Sequence, residues 1–173
     1  FVVGSNVTEG GGLTVEGGLI TNGTAGTGNS NGGGNIAVLT GSTVEIKGGT
    51  VSNGNSPKTA GNILATGNLI ISGGEITGGK ATGIAQNIYV LNNSGDVTVT
   101  GGTIENLTAN KPMSLTVSGK PVIGELDMMN GKVLDFLRKM EEKGLLELKQ
   151  QLHRSDFKKE KRLLTSVAEW CII

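Results

Sequence analysis

Four segments of the chain repeat one pattern, in which alternating strand-type residues lead into a Gly-Gly pair that is followed by a further aliphatic residue. The segments are LTVEGGLITNG (13–23), VEIKGGTVSNG (44–54), LIISGGEITGG (69–79) and VTVTGGTIENL (97–107). A weaker fifth copy begins at Leu115 and has Gly119-Lys120 in place of Gly-Gly. Recurrence at intervals of this length is typical of chains built from stacked units of secondary structure, so the repeat constrains the architecture before any other feature does.

Alignment of the copies predicts which side chains are buried. Because a strand has a period of two, two columns on the strand before the glycines are predicted to point inward, and the residues between them outward. The first inward column contains Leu13, Val44, Leu69, Val97 and Leu115, and the second contains Val15, Ile46, Ile71, Val99 and Val117. A third inward position follows the glycines at Ile20, Val51, Ile76, Ile104 and Val122. The Gly-Gly pair is interpreted as a corner, since glycine adopts positive φ and leaves room for a neighbouring layer.

A second motif lies between the repeats and consists of an asparagine followed by a short strand. It occurs as NIAV (35–38), NILA (62–65) and NIYV (87–90). We expect stacked asparagine side chains to hydrogen-bond to each other and to the backbone at this corner.

The spacing of the repeats defines the fold class. From one Gly-Gly pair to the next the steps are 31, 25, 28 and 18 residues, the last being short because no Asn-Ile strand follows Leu107. The prediction for residues 1–131 is an all-β, right-handed parallel β-helix, or β-solenoid, of about four to five coils.

Composition changes abruptly near Gly131. Of the 30 glycines, only Gly144 lies beyond this point, and leucine, lysine and glutamate become frequent. Apolar residues then recur at spacings of three and four, which predicts an amphipathic helix over 132–152 and a second one capped by Ser155-Asp156. We expect the 132–173 tail to cap the open end of the β-helix. A coiled coil or self-association segment, and a tail foreign to the repeat region, remain alternatives.

Charged and metal-ligating residues give no pattern of a catalytic or binding site. The 15 basic and 15 acidic residues balance, which gives no reason to expect nucleic acid as a partner. Glu9, Glu16, Glu45, Glu75, Asp96 and Glu105 are scattered over different predicted faces. His153 and Cys171 are each single, and no apolar run approaches the roughly 20 residues of a membrane-spanning helix. We therefore predict no catalytic, cofactor-binding or metal-binding residues, no enzymatic activity and no membrane insertion.

Over about residues 12–126, the strings TVEIKGGTVSNG, LIISGGEITGG and VTVTGGTIENLTA resemble the Gly-Gly-Thr-Ile repeats of cell-surface and secreted proteins of Gram-positive gut bacteria. Those repeats are similar to the right-handed β-helices of pectate-lyase-like proteins and bacterial adhesins. The resemblance implies a non-enzymatic structural or adhesive module that is extracellular or on the cell surface. Host glycans, cell-wall glycans or a protein would bind an outer face of the β-helix.

The alternative function is a carbohydrate-binding or carbohydrate-processing β-helix. Sugar binding usually uses exposed aromatic rings, and Tyr89 is the one aromatic residue between residues 12 and 126. Its predicted position is an outward column shared with Ala37 and Leu64.

Overall fold

The structure is a computed structural model that describes residues 1–4, 10–26, 32–91, 95–110, 114–128 and 147–148. In these ranges the chain forms strands and no helix. In chain order the strands are β1 (Val2–Val3), β2 (Gly12–Val15), β3 (Leu19–Thr21), β4 (Ile36–Val38), β5 (Thr43–Ile46), β6 (Thr50–Ser52), β7 (Asn55–Ser56), β8 (Ile63–Ala65), β9 (Asn68–Ile71), β10 (Glu75–Thr77), β11 (Lys80–Ala81), β12 (Ile88–Val90), β13 (Asp96–Val99), β14 (Thr103–Ala109), β15 (Ser114–Val117), β16 (Val122–Met128) and β17 (Glu147–Leu148).

Among the described residues, all the strand pairs are parallel and form three sheets. A five-stranded sheet has the order β15-β13-β9-β5-β2, and β11 pairs with β7 in a two-stranded sheet. A ten-stranded sheet has the order β1-β4-β8-β12-β14-β10-β6-β3, with β16 on β14 and β17 on β16. Neighbours in each sheet come from successive repeats, so successive passes of the chain lie side by side. A pass such as β5 to β8 contributes one strand to the five-stranded sheet and two to the ten-stranded sheet.

The register of the five-stranded sheet confirms the two predicted inward columns. Leu13 pairs with Val44, Val44 with Leu69, Leu69 with Val97 and Val97 with Leu115. The second column is aligned in the same way, two residues further on. These side chains, with the inward-facing aliphatic side chains of β4, β6, β8, β10 and β12, form one cluster whose central members are fully buried.

The ten-stranded sheet is curled around one long strand. Strands β3, β6 and β10 make one arm, and β1, β4, β8 and β12 make the other. The first part of β14 pairs with β10 through Thr103 and Ile104, and its last part pairs with β12 through Leu107 to Ala109. One strand therefore continues through a corner at which the earlier passes have a loop.

This pairing corrects the interpretation of the short 18-residue step. The strand of the second arm is not missing after Leu107, because Leu107 to Ala109 take the places that Ile88 to Val90 occupy one pass earlier. What is missing is the corner loop. Eleven residues lie between Ile76 and Ile88, but only two lie between Ile104 and Leu107.

A second correction concerns the last member of the third inward column. Val122 pairs with Thr103 on the outward column, whereas Ile123 pairs with Ile104 and is fully buried. Pro121 is the cause, because it adds one residue between Gly119-Lys120 and the strand, and a shift of one residue exchanges the two faces of a strand.

The two glycines of each pair have different roles. The second glycine has positive φ, for example +80° at Gly18 and +79° at Gly74. In the second, third and fourth pairs the first glycine leaves room for the layer before it: a Cβ on Gly48 would lie 2.5 Å from the carbonyl oxygen of Glu16, and one on Gly73 would lie 2.2 Å from that of Lys47. The predicted corner is thus confirmed.

Most of the tail lies outside the described residues, including nearly all of the helix predicted over 132–152 and the whole of the second helix. Two of its residues are described, and Glu147–Leu148 form a strand there rather than a helix. They pair with Val122 and Ile123 of β16. A parallel sheet edge offers backbone bonds that an isolated amphipathic segment lacks, so tertiary pairing replaces the local helical preference at these two residues.

Candidate functional site

The most specific side-chain arrangement in the described residues is a row of three asparagines. Asn35, Asn62 and Asn87 each come directly before a strand of the second arm, and Asn62 and Asn87 have no exposed surface. Because Ile36, Ile63 and Ile88 are in register, the asparagines stack in successive passes.

Hydrogen bonds join the three side chains into a ladder. Asn35 Nδ2 donates to Asn62 Oδ1 at 2.7 Å, and Asn62 Nδ2 donates to Asn87 Oδ1 at 2.6 Å. The predicted stacking of asparagines is therefore confirmed. All the donors point towards the next pass, so the ladder has one direction.

The ladder also holds the corner backbone. Each Oδ1 accepts a bond from a glycine amide that precedes it in the chain, at 2.8 Å from Gly23, 2.9 Å from Gly54 and 2.8 Å from Gly79. The Nδ2 groups of Asn35 and Asn62 also donate to the carbonyl oxygens of Ser52 and Thr77, both at 2.8 Å. Buried polar groups are costly unless they are bonded, and here each amide bonds in several directions.

A carboxylate ends the ladder. Asn87 Nδ2 donates to Glu105 Oε2 at 3.0 Å, and the same oxygen accepts bonds from the Gly78 amide at 2.6 Å and from Thr77 Oγ1 at 3.0 Å. The backbone bond from Gly78 is the main reason that the pKa of Glu105 lies below its ordinary value of 4.5; partial burial acts in the opposite direction, and the bonds from Asn87 and Thr77 lower the pKa further. Glu105 is thus a structural acceptor.

Sequence reasoning treated Glu105 only as one of the scattered acids. A signal was present, because the short step places Glu105-Asn106 directly before Leu107, where the earlier passes have their asparagine. Asn106 also bonds at this point, since its Oδ1 accepts from the backbone amide of Asn87 at 2.7 Å.

The other acidic residues of the repeat region do not form a cluster of carboxylates. Glu16 and Glu45 flank Lys47 on the outer side of the five-stranded sheet, with oxygens 3.9 Å and 3.5 Å from Lys47 Nζ. Glu75 and Asp96 are exposed on strands of different sheets, and Glu9 lies outside the described residues. Across the described ranges, no three His, Cys, Asp or Glu side chains meet in a group that could hold a metal ion.

Tyr89 is not available as an exposed ring, which corrects its predicted outward exposure. Its column does point away from the main core, but Ala60 and Ala85 from the corner loops cover it, and only 2% of Tyr89 is exposed. Leu64 belongs to the same small cluster, and Asn110 Nδ2 donates to the Tyr89 hydroxyl at 3.2 Å. The in-and-out alternation of strand residues correctly predicts the direction of the Tyr89 ring. It does not predict its burial, because the covering residues come from the corner loops.

Comparisons with protein families, curated proteins and solved structures found no match to this chain. Within the part of the chain that the structure describes, no helix has the length and apolar character needed to cross a membrane.

Proposed function

We propose that the chain is a right-handed parallel β-helix that serves as a non-enzymatic structural or adhesive module of a bacterial surface or secreted protein. The observation that carries the proposal is the asparagine ladder. Its side chains are buried, and their hydrogen bonds go to one another, to the corner backbone and to Glu105, so they hold the stack together.

The parallel pairing of successive passes supports the β-helix. Five strands follow one another in the five-stranded sheet without a change of direction, and the core is a column of aliphatic side chains from every pass. Parallel crossovers are almost always right-handed, which supports the proposed hand. Five layers at about 4.8 Å each predict a stack roughly 20–25 Å tall. A crystal structure would test the hand and the closure of each coil, and a left-handed or open arrangement would contradict both.

The surface or secreted setting rests on the resemblance of the repeats to those of bacterial surface proteins. A scaffold of this kind needs neither a groove nor a reactive group, since each pass gains its stability from its neighbours. The outer side of the five-stranded sheet is mostly polar, with Lys47 between Glu16 and Glu45 and a threonine at residues 14, 98, 100 and 116, while Ile70 is an apolar member of its middle column. We assign the adhesive contact to this side.

Binding of the purified chain to immobilised host mucins and cell-wall glycans tests the adhesive part. The expected result is saturable binding that weakens in a Lys47→Glu variant, while Lys58→Glu, on a corner loop, serves as the matched control. Equal binding by both variants and the parent would contradict the assignment to this side.

Incubation with acidic and neutral polysaccharides tests the non-enzymatic part and its alternative. We expect no release of unsaturated or reducing ends over that of a heat-treated sample. Release that disappears on substitution of an outer carboxylate would replace the proposal with the carbohydrate-processing alternative. The burial of Tyr89 argues against a sugar platform at that position.

A further inference from the structure

Two asparagines stand at the same corner of successive passes, and each is followed by glycine. Asn22-Gly23 follows β3 and Asn53-Gly54 follows β6, and the register of these strands aligns the two pairs. Both asparagines are exposed and have positive φ, +59° and +51°, where the next pass has Gly78 with a φ of +63°. Asparagine adopts this conformation more readily than other residues with a side chain, which accounts for its place at the corner.

An Asn-Gly pair is prone to spontaneous deamidation, because glycine has no side chain to hinder attack by its own nitrogen. In this reaction the Gly54 nitrogen gives up its proton and bonds to Asn53 Cγ, while the Cγ–Nδ2 bond breaks and the amide leaves, with that proton, as ammonia. Water then opens the resulting succinimide ring at either carbonyl and leaves aspartate or isoaspartate. Water is the one co-reactant, and nothing is oxidised or reduced.

The asparagine ladder holds the nitrogen that would attack. The Gly54 amide donates to Asn62 Oδ1 at 2.9 Å, and both residues are buried. The Gly54 carbonyl oxygen accepts from the Lys80 amide at 2.9 Å, so the residue is held on both sides. Attack on Asn53 Cγ requires the Gly54 nitrogen to lose its proton and its bond to Asn62. The reaction therefore proceeds from a corner that has opened locally.

The earlier Asn-Gly pair is held in the same way. The Gly23 amide donates to Asn35 Oδ1 at 2.8 Å, and the Gly23 carbonyl oxygen accepts from the Asn55 amide at 2.8 Å. In the next pass after Asn53 the ladder holds Gly79 at 2.8 Å, but the corner residue there is Gly78, so that pass has no asparagine to react. In both Asn-Gly pairs a ladder bond thus falls on the attacking nitrogen.

We propose that Asn53-Gly54 is a self-modification site, at which deamidation is controlled by the hydrogen bond from Gly54 to Asn62. Asn22-Gly23 is a second such site, controlled by Asn35. The closed corner preserves the asparagine, and local opening exposes it to a reaction that releases ammonia and is not reversed. The inference rests on the ladder and is independent of the adhesive role.

The product would prevent the corner from closing again as before. Isoaspartate adds an atom to the main chain at residue 53, between Ser52, which pairs with Thr77, and Asn55, which pairs with Lys80. An added atom between two paired positions disturbs the register of one of them. The site therefore converts a transient opening of the corner into a permanent change.

The test measures deamidation and amide hydrogen exchange of the full chain side by side. Mass spectrometry of the tryptic peptide 48–58, which lies between two lysine cleavage sites, gives the deamidation rate at residue 53, and NMR gives the exchange rate of the Gly54 amide. The free peptide 48–58 provides both rates without the fold. We expect the fold to slow both processes by the same factor, and both to recover together as urea is raised, because both need the same amide to be released.

Two matched substitutions separate control by this bond from a general loss of stability. Asn62→Asp keeps an oxygen that accepts from the Gly54 amide, whereas Asn62→Ala removes it, and the Asp variant is expected to lose at least as much stability. Deamidation at residue 53 should nevertheless be about two- to tenfold faster in the Ala variant, the range of one hydrogen bond. Asn53→Gln is the control for the position, since its longer side chain closes a larger ring far more slowly and the signal should disappear.

Three results would overturn the proposal. The first is deamidation at residue 53 that is as fast in the folded chain as in the free peptide. The second is a deamidation rate that stays constant while urea releases the Gly54 amide. The third is an equal rate in the two folded variants at residue 62. If either of these variants does not fold, the parent chain decides, because equal slowing of deamidation and exchange supports the proposal and unequal slowing refutes it.

Discussion

At the scale of single residues, Asn62 is the middle member of the asparagine ladder. It has bonds to Asn35, Gly54, Thr77 and Asn87 and no exposed surface. Removing it leaves several buried partners without a bond, and each such group is costly.

We expect Asn62→Ala to lower the free energy of unfolding by about 2–4 kcal/mol, and Asn62→Asp to be at least as harmful because its oxygens would face the Thr77 carbonyl and Asn87 Oδ1. Urea unfolding followed by circular dichroism measures the change. Asn55→Ala is the control, since that side chain is exposed. A loss no larger than in the control would contradict the role of the ladder.

Glu105 makes the ladder sensitive to acid. The folded pKa lies below the ordinary value of 4.5, so the carboxylate stabilises the fold above that value and this contribution is lost as the pH falls through the folded pKa. In Glu105→Gln the contribution is absent at all pH values. The stability difference between parent and variant should therefore be largest near neutral pH and should shrink as the pH falls below 4.5 and through the folded pKa.

Unfolding free energies of both proteins over a pH series measure this effect. Glu75→Gln is the matched control, because Glu75 is an exposed carboxylate on the neighbouring strand β10. A difference for Glu105→Gln that stays constant with pH would show that the carboxylate does not end the ladder as described.

At the scale of elements, the corners are governed by close approach between layers. Gly73→Ala would place a Cβ 2.2 Å from the Lys47 carbonyl oxygen, and the backbone on both sides is held by strand pairing. We expect a loss of about 1–3 kcal/mol, the usual cost of forcing extra volume into a packed site.

Gly17→Ala is the matched substitution at the same repeat position. Its Cβ meets nothing within 4 Å, and Gly17 is not among the glycines with positive φ. We expect a change between zero and a gain of about 1 kcal/mol, because alanine restricts the unfolded chain. Thermal unfolding of the two variants measures the contrast. Equal effects of Gly73→Ala and Gly17→Ala would mean that contact with the neighbouring layer does not decide where a glycine is needed.

At the scale of the whole molecule, the two ends of the stack differ. Ile123 and Leu126 of β16 are buried, and β17 pairs with part of that strand, whereas Phe1 at the other end is 70% exposed. Glu147–Leu148 therefore contribute one strand to the C-terminal end, and the capping role of the 132–173 tail stays a prediction.

A chain cut after Gly131 should associate more than the full chain, because the edge of β16 loses its partner. Light scattering at matched concentration measures the association. Val122→Lys in the cut chain should reduce it, since Val122 lies on the outward column of that edge and a lysine there opposes pairing. Equal scattering by cut and full chains would contradict the capping role.

The repeat pattern alone determined the parallel all-β class, the aliphatic columns, the glycine corners and the stacking of asparagines. It could do so because these features follow from a strand period of two and from identical residues meeting in successive passes. Tertiary structure decided the remaining features, which are the shift at Pro121, the continuous strand from Thr103 to Ala109, the cover over Tyr89, the acceptor role of Glu105 and the strand at 147–148. Each depends on which backbone lies beside a residue in the next layer or loop, and contacts between segments far apart in sequence decide it.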